Sequence, residues 1–145
     1  KNKRHLMEFF ENIFAYQKLG ANVTVCGPKS LIPKDIESLN VSVNTNFVNA
    51  LKHCDAVNML RIQNERMSES YFPSVREYVQ QYGLNKNILD SLDKKIVVMH
   101  PGPINRGVEI TSEVADSDQA IILDQVENGV AIRMAIMYLL AAKLK

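Results

Sequence analysis

The sequence predicts a single α/β domain of three layers, a parallel β-sheet with helices on both faces. Two observations carry this. Short, almost wholly apolar runs alternate along the chain with segments whose apolar residues recur every three or four positions. The short runs also lack the in–out alternation of a half-solvated sheet, so they are expected to be covered on both sides. At 145 residues the chain has the length of one domain with one core.

Taken in order, Leu6 to Leu19 places Leu6, Phe9, Phe10, Ile13, Phe14 and Tyr16 on one helical face. Gly20 stands where a left-handed C-terminal cap belongs. Ala21 to Cys26 is β-branched and is stopped by Gly27-Pro28, which predicts a strand. A second short strand is expected over Val41 to Val43, followed by a helix holding Phe47 to Leu51 and capped by Thr45. Ala56 to Leu60 predicts a buried strand. Tyr71 to Tyr82 predicts an amphipathic helix closed by Gly83, and Asn85 or Asn87 can cap one more helix ending near Leu92. Ile96 to Met99 is the clearest interior strand. Asp116 and Gln119 have the spacing of a capping box, which favours helix over strand for Ala120 to Leu123. Helical spacing then continues to Leu144, with a kink or break expected at Asn128-Gly129. No repeat or low-complexity tract occurs, and the layered result is Rossmann-like.

Composition narrows the function. Net charge is +1, which gives no overall field for nucleic acid or an acidic membrane. The basic start, Lys1-Asn2-Lys3-Arg4, has no interleaved aromatics and fits a solvated terminus better than a phosphate-binding arm. Cys26 and Cys54 lie in apolar surroundings without a CxxC partner or a histidine at metal spacing, so buried free thiols in a reducing compartment are expected. With no secretory pattern and no apolar run of spanning length, a cytoplasmic protein is expected and the sequons at Asn22 and Asn40 carry little weight.

In parallel sheets ligands sit beyond the carboxyl ends of the strands. Two such ends carry unusual polar residues. On extended backbone Arg61, Gln63 and Glu65 point to one side. Arg61 can grip a small carboxylate, Gln63 can add a donor or acceptor, and Glu65 can orient Arg61; surface ion pairs are the plainer alternative. After the last strand, Pro101 and Pro103 around Gly102 stiffen the backbone, remove two N–H donors and leave carbonyls to accept. Such a loop suits a ligand NH2 group, or is simply a tight turn, and a cis peptide before Pro103 fits proline chemistry. His100 is either a general base or a structural histidine. A dinucleotide-binding half-domain is disfavoured: no GxGxxG follows a strand, and Gly27-Pro28-Lys29-Ser30 interposes a proline between glycine and lysine.

Three segments in register resemble the aspartate carbamoyltransferases. His100-Pro101-Gly102-Pro103-Ile104-Asn105-Arg106-Gly107-Val108-Glu109-Ile110 is similar to their signature loop, and Leu60 to Arg66 to their aspartate-gripping segment. Gln125 to Ala135 resembles their final helix, and the likeness runs from about Gly20 onward. The sister ornithine enzymes differ in both loops, typically carrying cysteine and leucine after the loop's histidine.

The resemblance implies transfer of a carbamoyl group from carbamoyl phosphate to the amine of L-aspartate, in pyrimidine biosynthesis, without metal, cofactor or covalent intermediate. It implies that Arg61 and Gln63 hold the aspartate carboxylates and that Gly102 and Pro103, with Pro101, receive the carbamoyl NH2. Arg4 falls on a further aspartate-binding arginine of the family, although the sequence from His5 to Phe14 departs from the family pattern. Family members form trimers and are about twice this length. Their first half carries a Ser-Thr-Arg-Thr-Arg phosphate cradle and a His-Pro-x-Gln motif that are not found here. Residues 1–145 are therefore expected to be the second, aspartate-binding domain, inactive without the carbamoyl-phosphate half or a partner supplying it. The last helix, which packs on that half in the family, is expected to expose Ile132, Ile136 and Leu140 or to dock them on its own sheet. The alternative is a non-catalytic interaction or scaffold relative of the same fold.

Overall fold

The computed structural model describes residues 3–62 and 74–142. The chain forms two compact units that divide between Ala50 and Leu51.

The first unit opens with helix α1 (Lys3–Lys18), followed by strand β1 (Thr24–Cys26), a 3-10 turn at Ile36–Leu39, strand β2 (Ser42–Asn44) and the start of helix α2 (Phe47–Lys52). Phe9, Phe10 and Ile13 of α1 pack with Val25, Ile36 and Val41, forming the core that the helical spacing anticipated. Gly20 takes a φ of 83°. Ala21 N–H reaches the Tyr16 carbonyl at 3.0 Å and Gly20 N–H the Gln17 carbonyl at 3.0 Å, the paired bonds of a Schellman cap. β1 and β2 run parallel, Thr24 to Cys26 against Ser42 to Asn44. Gln17 Nε2 donates to the carbonyls of Leu39 and Asn40 at 2.7 and 3.1 Å, tying α1 to the turn before β2. The cap of α2 is Asn46, one residue beyond the expected Thr45: its Oδ1 accepts the Asn49 N–H at 2.9 Å.

The second unit contains β3 (Ala56–Asn58), α3 (Val75–Tyr82), α4 (Lys86–Asp90), β4 (Val97–Met99), α5 (Ser112–Ala115) and α6 (Ile122–Ala142). β3 and β4 are parallel, pairing Ala56, Val57 and Asn58 with Val97, Val98 and Met99. Ser74 caps α3 by accepting the Glu77 N–H at 3.1 Å, and Asn85 caps α4 by accepting that of Ile88 at 3.0 Å. Gly83 closes α3 in extended rather than left-handed conformation, and proximity is what requires glycine: a Cβ would sit 2.5 Å from the Val79 carbonyl oxygen and 2.9 Å from that of Val108. The described ladders are thus parallel strand pairs, one in each unit, in an α/β arrangement.

Two expectations near the C-terminal helix are corrected. α6 does not begin after Asp116, because the polar groups of the supposed capping box are engaged elsewhere. Asp116 takes both terminal nitrogens of Arg106 at 2.8 Å each, and Gln119 Nε2 donates to the Ile96 carbonyl at 3.0 Å. Ala120 instead makes a parallel bridge to Val98, with Val98 N–H on the Gln119 carbonyl at 2.8 Å and Ile121 N–H on the Val98 carbonyl at 3.0 Å. The helix starts at Ile122 and passes through Asn128-Gly129 without the expected break. No helix among the described residues is long and apolar enough to cross a membrane.

Candidate functional site

The carboxyl ends of β3 and β4 leave the second unit side by side, because the strands are parallel and register Asn58 opposite Met99. Met59 N–H extends the ladder to the Met99 carbonyl at 2.8 Å. Two residues beyond Met59 stands Arg61, and the residue after Met99 is His100. The topology therefore brings Arg61 and Ile62, the described start of the first polar segment, to the second segment, some forty positions further along the sequence.

Asn105 makes the junction. Its Oδ1 accepts the Arg61 Nε–H at 3.2 Å, and its Nδ2 donates to the Ile62 carbonyl at 2.8 Å. Arg61 is half-buried. Gln63 and Glu65 lie outside the described residues. Arg4 lies in the first turn of α1, in the other unit, and its side chain is also outside the described residues.

The proline turn is held from beneath. His100 and Glu109 are both 0% exposed. His100 Nδ1 accepts the Gly102 N–H at 2.9 Å, so that nitrogen carries no proton and Nε2–H points at Glu109 Oε1, 3.3 Å away. The same oxygen accepts the Asn105 N–H at 2.6 Å. Above, His100 N–H donates to Gln125 Oε1 of α6 at 3.0 Å. With both ring nitrogens engaged and no solvent access, His100 acts as a structural lock, and the alternative of a general base falls away. Burial pushes the Glu109 carboxyl up, but the hydrogen bonds from His100 and the Asn105 N–H outweigh it and leave its pKa below the ordinary glutamate value.

Above this lock Pro101 and Gly102 are half-buried, Pro103 is exposed, and the Gly102–Pro103 peptide is cis. Among the described residues no hydrogen bond ends on the carbonyls of these three. The Arg61 guanidinium is thus bonded two residues beyond a turn whose carbonyls meet no donor among the described residues, a pairing suited to a small ligand with a carboxylate at one end and an NH2 at the other.

Sequence reasoning missed Asn105, Glu109 and Gln125 as site-builders. A carboxylate following a proline turn was the available signal for Glu109; nothing local marks Gln125. Arg106, next to the site in sequence, turns away to Asp116 at the surface. Cys26 and Cys54 are free thiols. Burial pushes Cys26 up to about 11 and also raises Cys54. Among the described residues no group of three or more His, Cys, Asp or Glu is placed to hold a metal ion.

The chain is similar to known proteins over nearly all of its length. The family model for the aspartate/ornithine carbamoyltransferase Asp/Orn-binding domain matches residues 9–140. The aspartate carbamoyltransferase catalytic subunit of Flavobacterium psychrophilum is 67% identical over 141 residues, covering 97% of this chain and 46% of that protein. That of Cytophaga hutchinsonii is 62% identical over 137 residues, 94% of this chain and 45% of the other. The chain thus spans somewhat under half the length of these curated relatives. Among solved structures, aspartate transcarbamoylase from Trypanosoma cruzi in complex with carbamoyl phosphate aligns with a TM-score of 0.65 at 22% identity, over 80% of this chain and 39% of that one. Anabolic ornithine carbamoyltransferase from Campylobacter jejuni aligns with a TM-score of 0.69 at 18% identity, over 90% of this chain and 47% of that one, and at such identities the likeness concerns the α/β fold. With nearly all its length matched by the family model and by close relatives, the chain belongs to the aspartate/ornithine carbamoyltransferase family, matching its Asp/Orn-binding domain.

Proposed function

We propose that residues 1–145 are the aspartate-binding, second domain of an aspartate carbamoyltransferase, working with a carbamoyl-phosphate-binding half that these residues do not include. The whole enzyme forms N-carbamoyl-L-aspartate and phosphate, the step that commits carbon to pyrimidines. The aspartate amine's electron pair forms the new C–N bond, the bond from carbonyl carbon to phosphate oxygen breaks, phosphate leaves with the electron pair of that broken bond, and the proton shed by the amine passes to the departing phosphate or to water. Arg61 and Gln63 hold the substrate carboxylates, Glu65 orients Arg61, and Arg4 adds a further cation. The backbone of Gly102 and Pro103, with Pro101, receives the carbamoyl NH2. Catalysis on this side is orientation with charge stabilisation and uses no cofactor. The working assembly is a cytoplasmic homotrimer.

The observation carrying the reading is the hydrogen bond from Arg61 to Asn105, two residues beyond the proline turn, at adjacent strand ends. A guanidinium there favours aspartate over ornithine, whose cationic side chain it would repel. The close relatives named as aspartate carbamoyltransferase catalytic subunits support the same choice.

The test supplies a carbamoyl-phosphate-binding half together with this chain and measures ureido colour. Activity is expected with L-aspartate and not with L-ornithine. Arg61→Ala is expected to lower kcat/KM for aspartate by about a hundredfold or more, the loss of a bidentate charged contact. Undiminished activity in that variant would remove Arg61 from the site.

A further inference from the structure

Asn105 uses its backbone and both ends of its side chain at once. Its N–H donates to the buried Glu109 at 2.6 Å and its carbonyl accepts the Val108 N–H at 3.0 Å. Glu109 is held in turn by His100, which holds Gly102, so the backbone of Asn105 is fixed relative to the proline turn. Its side-chain oxygen meets the Arg61 Nε–H and its side-chain nitrogen meets the Ile62 carbonyl. The amide orientation is determined, since the flipped form would set donor against donor and acceptor against acceptor.

An amide is the one short side chain that satisfies both neighbours. Alanine satisfies neither. Aspartate keeps an acceptor for Arg61 but turns an oxygen toward the Ile62 carbonyl, and its charge competes with a substrate carboxylate for the guanidinium. We infer that Asn105 is a positioning residue that sets the spacing and orientation of the Arg61 guanidinium relative to the proline turn, and so governs how well aspartate is held. This rests on the function proposed above. In this role Asn105 acts through Arg61 and does not itself touch the substrate.

The test uses the active enzyme containing this chain and its carbamoyl-phosphate-binding half. Asn105→Ala is expected to lower kcat/KM for aspartate about tenfold, mainly through KM, as loss of a hydrogen bond to a charged group does. KM for carbamoyl phosphate should stay within about twofold, because the turn keeps its own lock. The near-isosteric Asn105→Asp should also raise KM for aspartate. Placed on Arg61→Ala, Asn105→Ala should add less than about a twofold further loss, a coupling that general loosening of the fold would not produce. Aspartate KM within about twofold of the parent in both Asn105 variants, or full additivity with Arg61→Ala, overturns the inference while leaving the proposed function standing. An Arg61→Ala enzyme of normal activity brings down both.

Discussion

Glu109 shows how a buried charge can be retained at a site without touching a ligand. Its Oε1 collects two donors while its Oε2, also buried, has no hydrogen-bond partner among the described residues. The carboxylate's low folded-state pKa means that its stabilising contribution is fully present above the unfolded glutamate pKa and is lost as pH falls through the folded value. Glu109→Gln keeps an acceptor but loses the charge and buries an NH2 group, at a cost of about 1–3 kcal/mol near neutral pH. Thermal melts of the two proteins across pH should show a gap that is constant at neutrality and closes on acidification through that window. A gap that widens in acid would contradict the assigned charge state. This residue shows where sequence reading stopped. Arg61 and the prolines stand out in the sequence because their chemistry is unusual after a strand. Asn105 does not, since a polar residue in a loop gives no sign of what it will be buried against, and Glu109 leaves only the hint of a carboxylate after a proline turn.

At the scale of elements, most local signals were followed and the exceptions have identifiable partners. Gly20 and Asn85 cap as their chemistry dictates. The start of α6 was misread because the cap signal at Asp116 and Gln119 is local, whereas the Arg106 side chain and the Ile96 carbonyl that claim those groups come from elsewhere in the chain. The expected break at Asn128-Gly129 is absent because one interior glycine costs only about 1 kcal/mol, which a helix of 21 residues can carry. Three glycine-to-alanine changes should therefore differ in sign and size. Gly129→Ala meets no neighbour and should stabilise by up to about 1 kcal/mol. Gly20→Ala meets none either, but must hold a φ of 83° and should cost about 1 kcal/mol. Gly83→Ala drives a methyl into two backbone carbonyls and should cost about 2 kcal/mol or more. Chemical denaturation would rank them, and a Gly83→Ala protein as stable as the parent would show that the close approach is not rigid.

For the molecule as a whole, the alternation of strand and helix was legible while the distribution of strands was not. Each described ladder is only three residues long, and short apolar runs carry no record of which strand they pair with. The neighbouring exits of β3 and β4, which create the candidate site, are likewise a product of pairing. α6 shows the opposite case, a property written openly in sequence. Ile136, Met137, Tyr138, Leu139 and Leu140 are consecutive, so they occupy every side of a helix that turns once in 3.6 residues. A helix apolar all round is ordinarily covered on more than one side, yet these five are all at least half exposed here, as are Ile132 and Met134. In solution such a surface should bind a hydrophobic dye and promote concentration-dependent association of this chain. Ile136→Glu is expected to lower dye fluorescence and shift sedimentation toward monomer while leaving the helical signal and the melting temperature near those of the parent. If the substitution instead collapses the melt, Ile136 is seated in the chain's own core and the exposed face is not a feature of the folded protein.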